Sequence, residues 1–451
     1  MRSFDVLIVG GGASGTLVAA QLSRRASSGL RIALAERTGR FSRGPAYGTT
    51  EPSHLLNVRA RGMSGWPAEP DHFVRALRAR GLCVEGGEFV SRALYGDYLS
   101  RILSEALAGA PEGVTCAQLP DEVLELVRSA EGFIVQMASG ERLKARRVLL
   151  ASGNTEPAAL GVPDGGVFAS DAWVASPWQS EWLEALSPDD EVLLIGTSLT
   201  SVDALLSLLA RGHRGQVTAL SRHGLLPRPH PPVARPLSWE EPHFGTTARA
   251  LLRTVRQQVE RRASQGASWQ DALDALRPHH VELWQRLSLT ERRRFLRHLR
   301  SRWDVVRHRM APEIAEKVSA ARARGQFRVV AGRLLRFEAT EDGLVGWFRG
   351  RGNGAERSVS ARRGVNCTGP ASPVSAGGPL FASLLRRGLA VADPLGFAIE
   401  TRGGRVVDGE GNAHDDLRAI GALRRFELWE SVAIPEIRVQ AAEAAEALLA
   451  P

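Results

Sequence analysis

Cysteine and lysine are nearly missing from this 451-residue chain, and long apolar runs and metal-binding spacings are missing altogether. The three cysteines, Cys83, Cys116 and Cys367, stand far apart, and none belongs to a C-x-x-C pair. That excludes a redox disulfide between neighbouring cysteines and a cysteine-rich secreted scaffold. No H-E-x-x-H, paired Cys/His spacing or calcium-loop pattern occurs, so no metal is expected. No apolar run reaches the ~18 residues of a membrane-spanning helix, and no membrane association is expected. The first apolar strand opens within a few residues of Met1, which leaves no space for a signal peptide, and a cytoplasmic location is the expectation.

With Lys144 and Lys317 as its only lysines, the chain carries its net charge of +9 on arginine. Residues 225–325 hold 20 Arg and Lys against 10 Asp and Glu. Nucleic-acid binding is not expected from this excess, because the arginines are interspersed with acids along helical segments that lack a recognition motif. A solvated helical face, or attraction of an anionic cofactor and substrate, fits better.

What the chain does contain is one strand–turn–helix–strand unit written twice. Residues 5–37 and 191–223 superpose at a fixed offset without a gap. In the first copy an apolar strand runs into Gly10-Gly11-Gly12-Ala13-Ser14-Gly15, a helix follows, and the second strand ends at Glu36, 26 positions after Gly10. Such spacing marks a dinucleotide cradle: Gly10 for the tight turn, Gly12 for close approach of a pyrophosphate, Gly15 for close helix–strand packing, with the helix N-terminus facing the phosphates. In the second copy Gly196 stands at the place of Gly10, whereas Ser198 and Ser201 replace the later glycines, with Thr200 between them. Arg222 stands at the place of Glu36 in this overlay. A carboxylate there accepts hydrogen bonds from ribose hydroxyls and a guanidinium pairs with a ribose phosphate, so the expected cofactors are FAD in the first site and NADPH in the second.

Each unit is followed by a strand meander, at 121–153 and again at 327–369, closing in Ala151-Ser152-Gly153 and Cys367-Thr368-Gly369. The expected fold is therefore α/β, with two Rossmann-like dinucleotide-binding domains, each βαβ plus β-meander, and a helical insertion. The domains are expected at 1–155 with 364–451 for FAD, 156–224 with 326–363 for NAD(P)H, and 225–325 for the arginine-rich insertion. Within 37–114 the Gly/Pro-rich loop 39–50 and the stretch 54–64 gather His54, Asn57 and Arg59, which suits contact with a ligand ring. Helices are expected at 72–80, capped by Asp71, and at 88–108. The insertion opens with a proline-rich extended run at 225–243 and continues with helices at 246–264, 268–276, 278–286, 290–303 and 311–324. Thr290 is the expected N-cap of the fourth, with Arg293 where a capping box wants an acid. His308 and Arg309 close this region as candidate substrate contacts on a helical lid.

The runs GPAYGT, HLLNV, the G-T-x-L-T-x-V-D turn at 196–203, ALSRHGLLPRPH, and the ending IGALRRFELWESVAIPEIRVQA resemble the FAD/NAD(P)-binding proteins that sit near the N-hydroxylating flavin monooxygenases of the ornithine and lysine type. The resemblance spans essentially the whole chain and implies FAD held by the first and last segments and NADPH by the middle one. It implies further that Gly10, Gly12, Gly15 and Glu36 contact FAD, that Asn57 and Val58 meet the flavin edge, and that Gly196, Thr200 and Arg222 contact NADPH. Gly421 and the helix opening at Ile434 are implied to face the flavin, where a helix dipole stabilises negative charge. The Gly-Asp usual in that segment is Gly421-Ala422 here, and the F-x-G-x-x-x-H-x-x-x-W signature of Baeyer–Villiger enzymes is absent.

With two dinucleotide sites and neither metal nor disulfide, molecular oxygen is the expected electron acceptor. The expected activity is NADPH-dependent transfer of one oxygen atom to a small nucleophilic substrate, an amine, through a C4a-hydroperoxyflavin, with His54, Asn57 and Arg59 near the ring. A flavin reductase without oxygen insertion, and a non-enzymatic redox sensor binding FAD and a nucleotide, stay open. Substrate identity and oligomeric state are not readable.

Overall fold

The computed structural model describes residues 1–233, 238, 239, 244–352, 354–374, 376 and 378–450. Part of the expected proline-rich extended run therefore lies outside the described residues.

The first half contributes β1 (Ser3–Val9), β2 (Arg31–Ala35), β3 (Thr115–Leu119), β4 (Val123–Ser129), β5 (Gly132–Met137) and β6 (Arg142–Leu150). The middle contributes β7 (Trp173–Val174), β8 (Val192–Ile195), β9 (Val217–Ser221), β10 (Phe327–Thr340), β11 (Gly343–Gly350), β12 (Glu356–Ala361) and β13 (Arg363–Asn366). The last segment adds β14 (Thr401–Arg402), β15 (Arg405–Val407) and β16 (Ala413–Ala419). Two sheets result. One runs β14-β15-β16-β6-β1-β2-β3 with β4 and β5 continuing from β6, and the other runs β12-β11-β10-β9-β8-β13-β7. In each, the centre is parallel and the meander antiparallel. β10 performs two tasks, pairing in parallel with β9 over 327–331 and then antiparallel with β11 over 332–340.

The central strands are unbroken apolar runs because both of their faces are covered, one by helices and the other largely by the antiparallel meander. On one face of the first sheet, helix Ala13–Arg25 buries Leu17, Val18 and Leu22 completely against helices Arg92–Ala108 and Ile434–Leu449. Each such side chain contributes about 1.5–3 kcal/mol. The second sheet is covered by helices Leu199–Ala210 and Pro312–Ala323.

Several expected boundaries shift. The domain boundary drawn at 364 falls inside β13, which pairs with β7 and β8, so the second sheet keeps this strand through Asn366. The 72–80 helix is His72–Arg78; Asp71 makes no capping bond and pairs instead with Arg61 at 3.2 Å. The 88–108 helix starts at Arg92, with Ser91 Oγ accepting from the Ala93 amide. Ser288 rather than Thr290 caps the fourth insertion helix, since Ser288-x-x-Glu291 places an acid at the third helical position; the Ser288 hydroxyl accepts from the Glu291 amide. The Glu291 carboxylate, turned away from its own cap, accepts from the Ala248 amide at the start of helix Ala248–Ala263. The helix expected at 290–303 breaks at Leu299 into Leu289–His298 and Arg300–Arg307.

The insertion docks on the last segment through aromatic rings. Trp284 stacks on Trp429 at 4.9 Å, Phe295 meets Trp429 edge-on at 5.2 Å, and Arg425 lies over the Phe397 and Trp429 rings. Trp429 takes φ 62, ψ −64, and the Glu430 amide donates to the Leu428 carbonyl at 2.8 Å, which closes a γ-turn at a bulky residue.

Candidate functional site

In the first unit the glycine turn is forced by its surroundings. Gly10 has φ +109, and a Cβ there would lie 2.4 Å from the Ala151 carbonyl oxygen. A Cβ on Gly15 would lie 1.9 Å from the Gly10 carbonyl oxygen, whereas one on Gly12 would meet nothing closer than 3.7 Å. Gly12 therefore leaves room above the turn, and as N-cap of helix Ala13–Arg25 it places no side chain over the first-turn amides of Ala13, Ser14 and Gly15. Glu36 is fixed at the mouth: one oxygen accepts from the Gly11 amide at 3.0 Å, the other from the Thr38 amide and hydroxyl. Gly421, with φ +72, abuts Ser14 from the last segment and donates its amide to Gln440 Oε1 at 3.0 Å. Next to it, helix Ile434–Leu449 opens with Ala433 as an N-cap that makes no side-chain bond.

The second unit repeats the turn with different chemistry. A Cβ on Gly196 would lie 2.3 Å from the Cys367 carbonyl oxygen, matching the Gly10–Ala151 contact. Ser201 is fully buried, and its hydroxyl donates to the Gly196 carbonyl at 2.5 Å. Ser198 is the N-cap of helix Leu199–Ala210, exposed and without a cap bond; Thr200 follows in the first turn, half-buried.

The ungapped overlay slips by one residue at the second strand. Val9 pairs with Ala35, but Ile195 pairs with Leu220, the counterpart of Leu34. Ser221, not Arg222, is thus the structural partner of Glu36. Side-chain contacts agree: Thr197 Oγ1 bonds Ser221 Oγ at 2.9 Å where the Gly11 amide bonds Glu36. Arg222 lies one residue further, exposed. Its neighbour His223 accepts from Arg351 Nη1 and is held below its ordinary pKa by burial and then by Arg351, Arg222 and Arg302. Arg302 comes from the insertion, a contribution invisible to the local motif.

The candidate ring contacts meet mixed surroundings. His54 is buried and fully engaged: Nδ1 with Thr49 Oγ1 at 2.8 Å, Nε2 with the Asp203 carbonyl and Ser207 Oγ at 3.0 Å each. Because a carbonyl only accepts, Nε2 carries the proton. Close by, the Asp203 carboxylate accepts from both terminal nitrogens of Arg92, with side-chain exposures of 9% and 12%, and Arg92 Nε donates to the Leu55 carbonyl. The segment 54–57 is thereby fastened to the helix of the second unit. Asn57 lines the narrow crevice between them together with Leu55, Leu199, Leu206 and Met310. Its carbonyl accepts from His230 Nε2 at 3.0 Å. Burial, with Arg309 next, pushes His230 down to about 3. Val58 is half-buried beside Gly62. Arg59 donates to the Gly87 and Pro231 carbonyls and lies over the Phe89 ring.

The two insertion residues differ. Arg309 is 2% exposed and pairs with Asp274 inside the insertion, so the structure turns it away from an open surface. His308 lies 3.9 Å from Glu430 and is held low by burial.

Residues 7–155 match the model of the FAD-NAD(P)-binding family. Among solved structures, the chain is similar to ornithine N-hydroxylase of Kutzneria sp. 744, at 14% identity and TM-score 0.68 over 99% of each chain. It is also similar to ornithine hydroxylase of Pseudomonas aeruginosa, at 19% identity and TM-score 0.67 over 99% of each. L-lysine 6-monooxygenase of Pseudomonas syringae matches at 16% identity and TM-score 0.67, again over 99% of each chain. These likenesses establish the fold: two Rossmann-like dinucleotide-binding domains. No helix among the described residues is long and apolar enough to cross a membrane.

Proposed function

We propose that this chain, with a FAD-NAD(P)-binding segment and a second dinucleotide cradle clamped beside it, is an NADPH-dependent flavin monooxygenase. In this reading one oxygen atom of molecular oxygen passes to a small nucleophilic substrate, an amine. The observation that carries it is the contrast at the ends of β2 and β9. Glu36, anchored by a backbone amide, accepts from ribose hydroxyls and repels a phosphate; Ser221 removes that repulsion and Arg222, next in sequence to the His223 that Arg351 holds, attracts one. The fold shared with two ornithine hydroxylases and a lysine monooxygenase supports the oxygenase reading.

The residues present fit both cofactors. Gly10, Gly12, Ala13, Ser14, Gly15 and Glu36 would hold the FAD diphosphate and ribose, with Val58, Asn57, Gly421 and the helix start at Ile434 around the ring. Gly196, Ser198, Thr200 and Arg222 would hold NADPH. FAD, when bound, supplies electron transfer from the nicotinamide to oxygen. The chain supplies position and dryness. His54 and Arg92 fix segment 54–57 to the nucleotide-binding helix, and the apolar side chains lining the crevice keep water out. His54 and Arg59 are positioning residues in this account, because their polar atoms are already spent on backbone and hydroxyl partners.

The test mixes the purified protein with NADPH or NADH without oxygen, then adds oxygen and candidate amines while product is quantified against NADPH consumed. Rapid loss of flavin absorbance with NADPH and a hydroxylated product support the reading. NADPH oxidation that yields only peroxide with every amine points to a flavin reductase instead. Arg222→Gln is expected to raise the KM for NADPH about 10- to 100-fold, the value of a charge-assisted bond, and to leave that for NADH nearly unchanged.

A further inference from the structure

The chain has only three tyrosines, and all three lie in one aromatic cluster beside the first cradle. Tyr47 closes the one-turn helix Gly44–Tyr47, whose first residue comes within 3.7 Å of the Cβ position of Gly12. The Tyr47 ring meets Tyr95 edge-on at 4.7 Å, and Tyr95 lies 5.5 Å from Tyr98, both on helix Arg92–Ala108. From Tyr98 the rings continue to His72 at 5.6 Å, and from His72 to Trp66 at 6.3 Å, with Arg24 over the Trp66 ring. Phe73 packs against Tyr95 and Tyr98 at 5.2 and 4.8 Å. Packing alone asks for rings and not for hydroxyls, since phenylalanine fills such a core without a phenol to satisfy.

The phenols along this line are treated differently. Tyr95 is fully buried, and its hydroxyl has no hydrogen-bond partner among the described residues. Tyr98 has two: the Gly65 amide donates to its oxygen at 3.0 Å, and that oxygen lies 2.8 Å from His72 Nδ1. An amide only donates, whereas a neutral imidazole nitrogen accepts, so the phenolic proton points at Nδ1 and Nε2 carries the ring's own proton. Burial holds His72 below its ordinary pKa, which leaves the imidazole neutral and Nδ1 open to a proton. A phenol gives up an electron readily only where its proton can leave to a positioned base. Tyr98 meets that condition and Tyr95 does not.

We propose that Tyr47, Tyr95, Tyr98 and His72 form an electron-donating relay that leads away from the FAD cradle and reduces one-electron oxidants formed at the flavin, its photoexcited oxidised form among them. In the balanced step the oxidant gains one electron, Tyr98 loses one, and the Tyr98 proton crosses its hydrogen bond to His72 Nδ1. A neutral phenoxyl radical then stands beside an imidazolium, and no bond between heavy atoms has broken. Tyr95, with no base for its proton, passes the electron between its neighbours without holding the radical. A soluble one-electron reductant such as ascorbate restores Tyr98, with the proton returning from His72. Oxidising equivalents are thereby drawn off from the glycine turn to a residue that can hold them. The inference rests on FAD occupying the first cradle, and it requires neither NADPH nor oxygen insertion.

The experiment is laser-flash excitation of the flavin in the purified full-length protein, without oxygen or NADPH. It is read by transient absorption and by electron paramagnetic resonance of samples frozen under illumination, with ring-deuterated tyrosine to mark the signal. A tyrosine radical is expected to appear as oxidised-flavin absorbance falls, and ring deuteration is expected to narrow its resonance. Since the chain has no fourth tyrosine, single substitutions assign it. Tyr98→Phe is expected to shorten the radical's lifetime about 10-fold or more. The same is expected of His72→Gln, which still accepts from the Tyr98 hydroxyl but is a far weaker base, while its flavin content and thermal midpoint stay near wild type. A merely structural cluster would leave the lifetime alone. Tyr47→Phe is expected to cut the yield of the radical. No tyrosine radical in flavin-loaded wild type overturns the proposal, as does a lifetime unchanged in both Tyr98→Phe and His72→Gln, or a yield unchanged in Tyr47→Phe. Amine hydroxylation, measured on the same preparations, separates the two readings: hydroxylation without a radical faults only the relay, a radical without hydroxylation faults only the monooxygenase, and a protein that binds no FAD faults both.

Discussion

The two cradles close the same backbone turn with opposite tactics at the start of the helix. At Gly15 the helix comes so near the turn that a Cβ would stand 1.9 Å from a carbonyl oxygen; at the matching Ser201 it stands far enough off for a hydroxyl to bridge to that same carbonyl at 2.5 Å. Two residues further along, Leu17 is buried in the core of the first unit, whereas its counterpart Asp203 reaches out to Arg92, at the start of helix Arg92–Ala108. The first helix packs on its own sheet and leaves the space over its first-turn amides open. The second also serves as a docking surface for segment 54–57, and it carries serines where the first has glycines.

The difference can be broken at its sharpest point with Gly15→Ala. Backbone has to move for the methyl to fit, and flavin content per chain is expected to collapse, with the thermal midpoint falling well below wild type. Retention of full flavin content would show that the close approach is dispensable. Asp203→Asn should come next. It leaves Arg92 buried without its counter-charge, which typically costs about 3–5 kcal/mol, and urea unfolding should show it, while flavin content at low denaturant persists. A loss under about 1 kcal/mol would mean that the ion pair adds little to a docking surface held by the His54 bonds and apolar contacts. Ser201→Ala should cost least, about 1 kcal/mol for one hydroxyl bond, with flavin content unchanged. If alanine at 201 matched alanine at 15 in severity, the two helices would have to approach their turns equally closely, against the distances observed.

Much of this was readable from the chain. Glycine at position 10, apolar runs entering both turns, and an acid closing β2 dictate a parallel sheet with a cradle, since no other local structure uses those residues in that order. The meanders were readable from alternation and from the turn at Asp342-Gly343. What escaped was whatever depends on register or on distant partners. Equal spacing suggested that Arg222 replaces Glu36, but strand pairing in a parallel sheet is set by how the crossover helix seats, and the second unit pairs one residue earlier. The Thr197–Ser221 bond records that slip, and nothing in the local sequence announces it. His54 looked available because its partners, Ser207 and the Asp203 carbonyl, are some 150 positions away. The Ser288 cap is a different matter: its acid three residues on was present in the sequence, and choosing Thr290 passed over it.

The γ-turn at Trp429 has a bearing on how the molecule assembles. A tryptophan relaxes toward negative φ unless its surroundings forbid it. Here the surroundings are Trp284 and Phe295 from the insertion, so the course of the chain between Leu428 and Ile434 is tied to the seating of the insertion. The insertion is in this sense a template for the last segment. Residues more than a hundred positions earlier decide where the final helix begins, and with it the placement of Glu430 and Glu436.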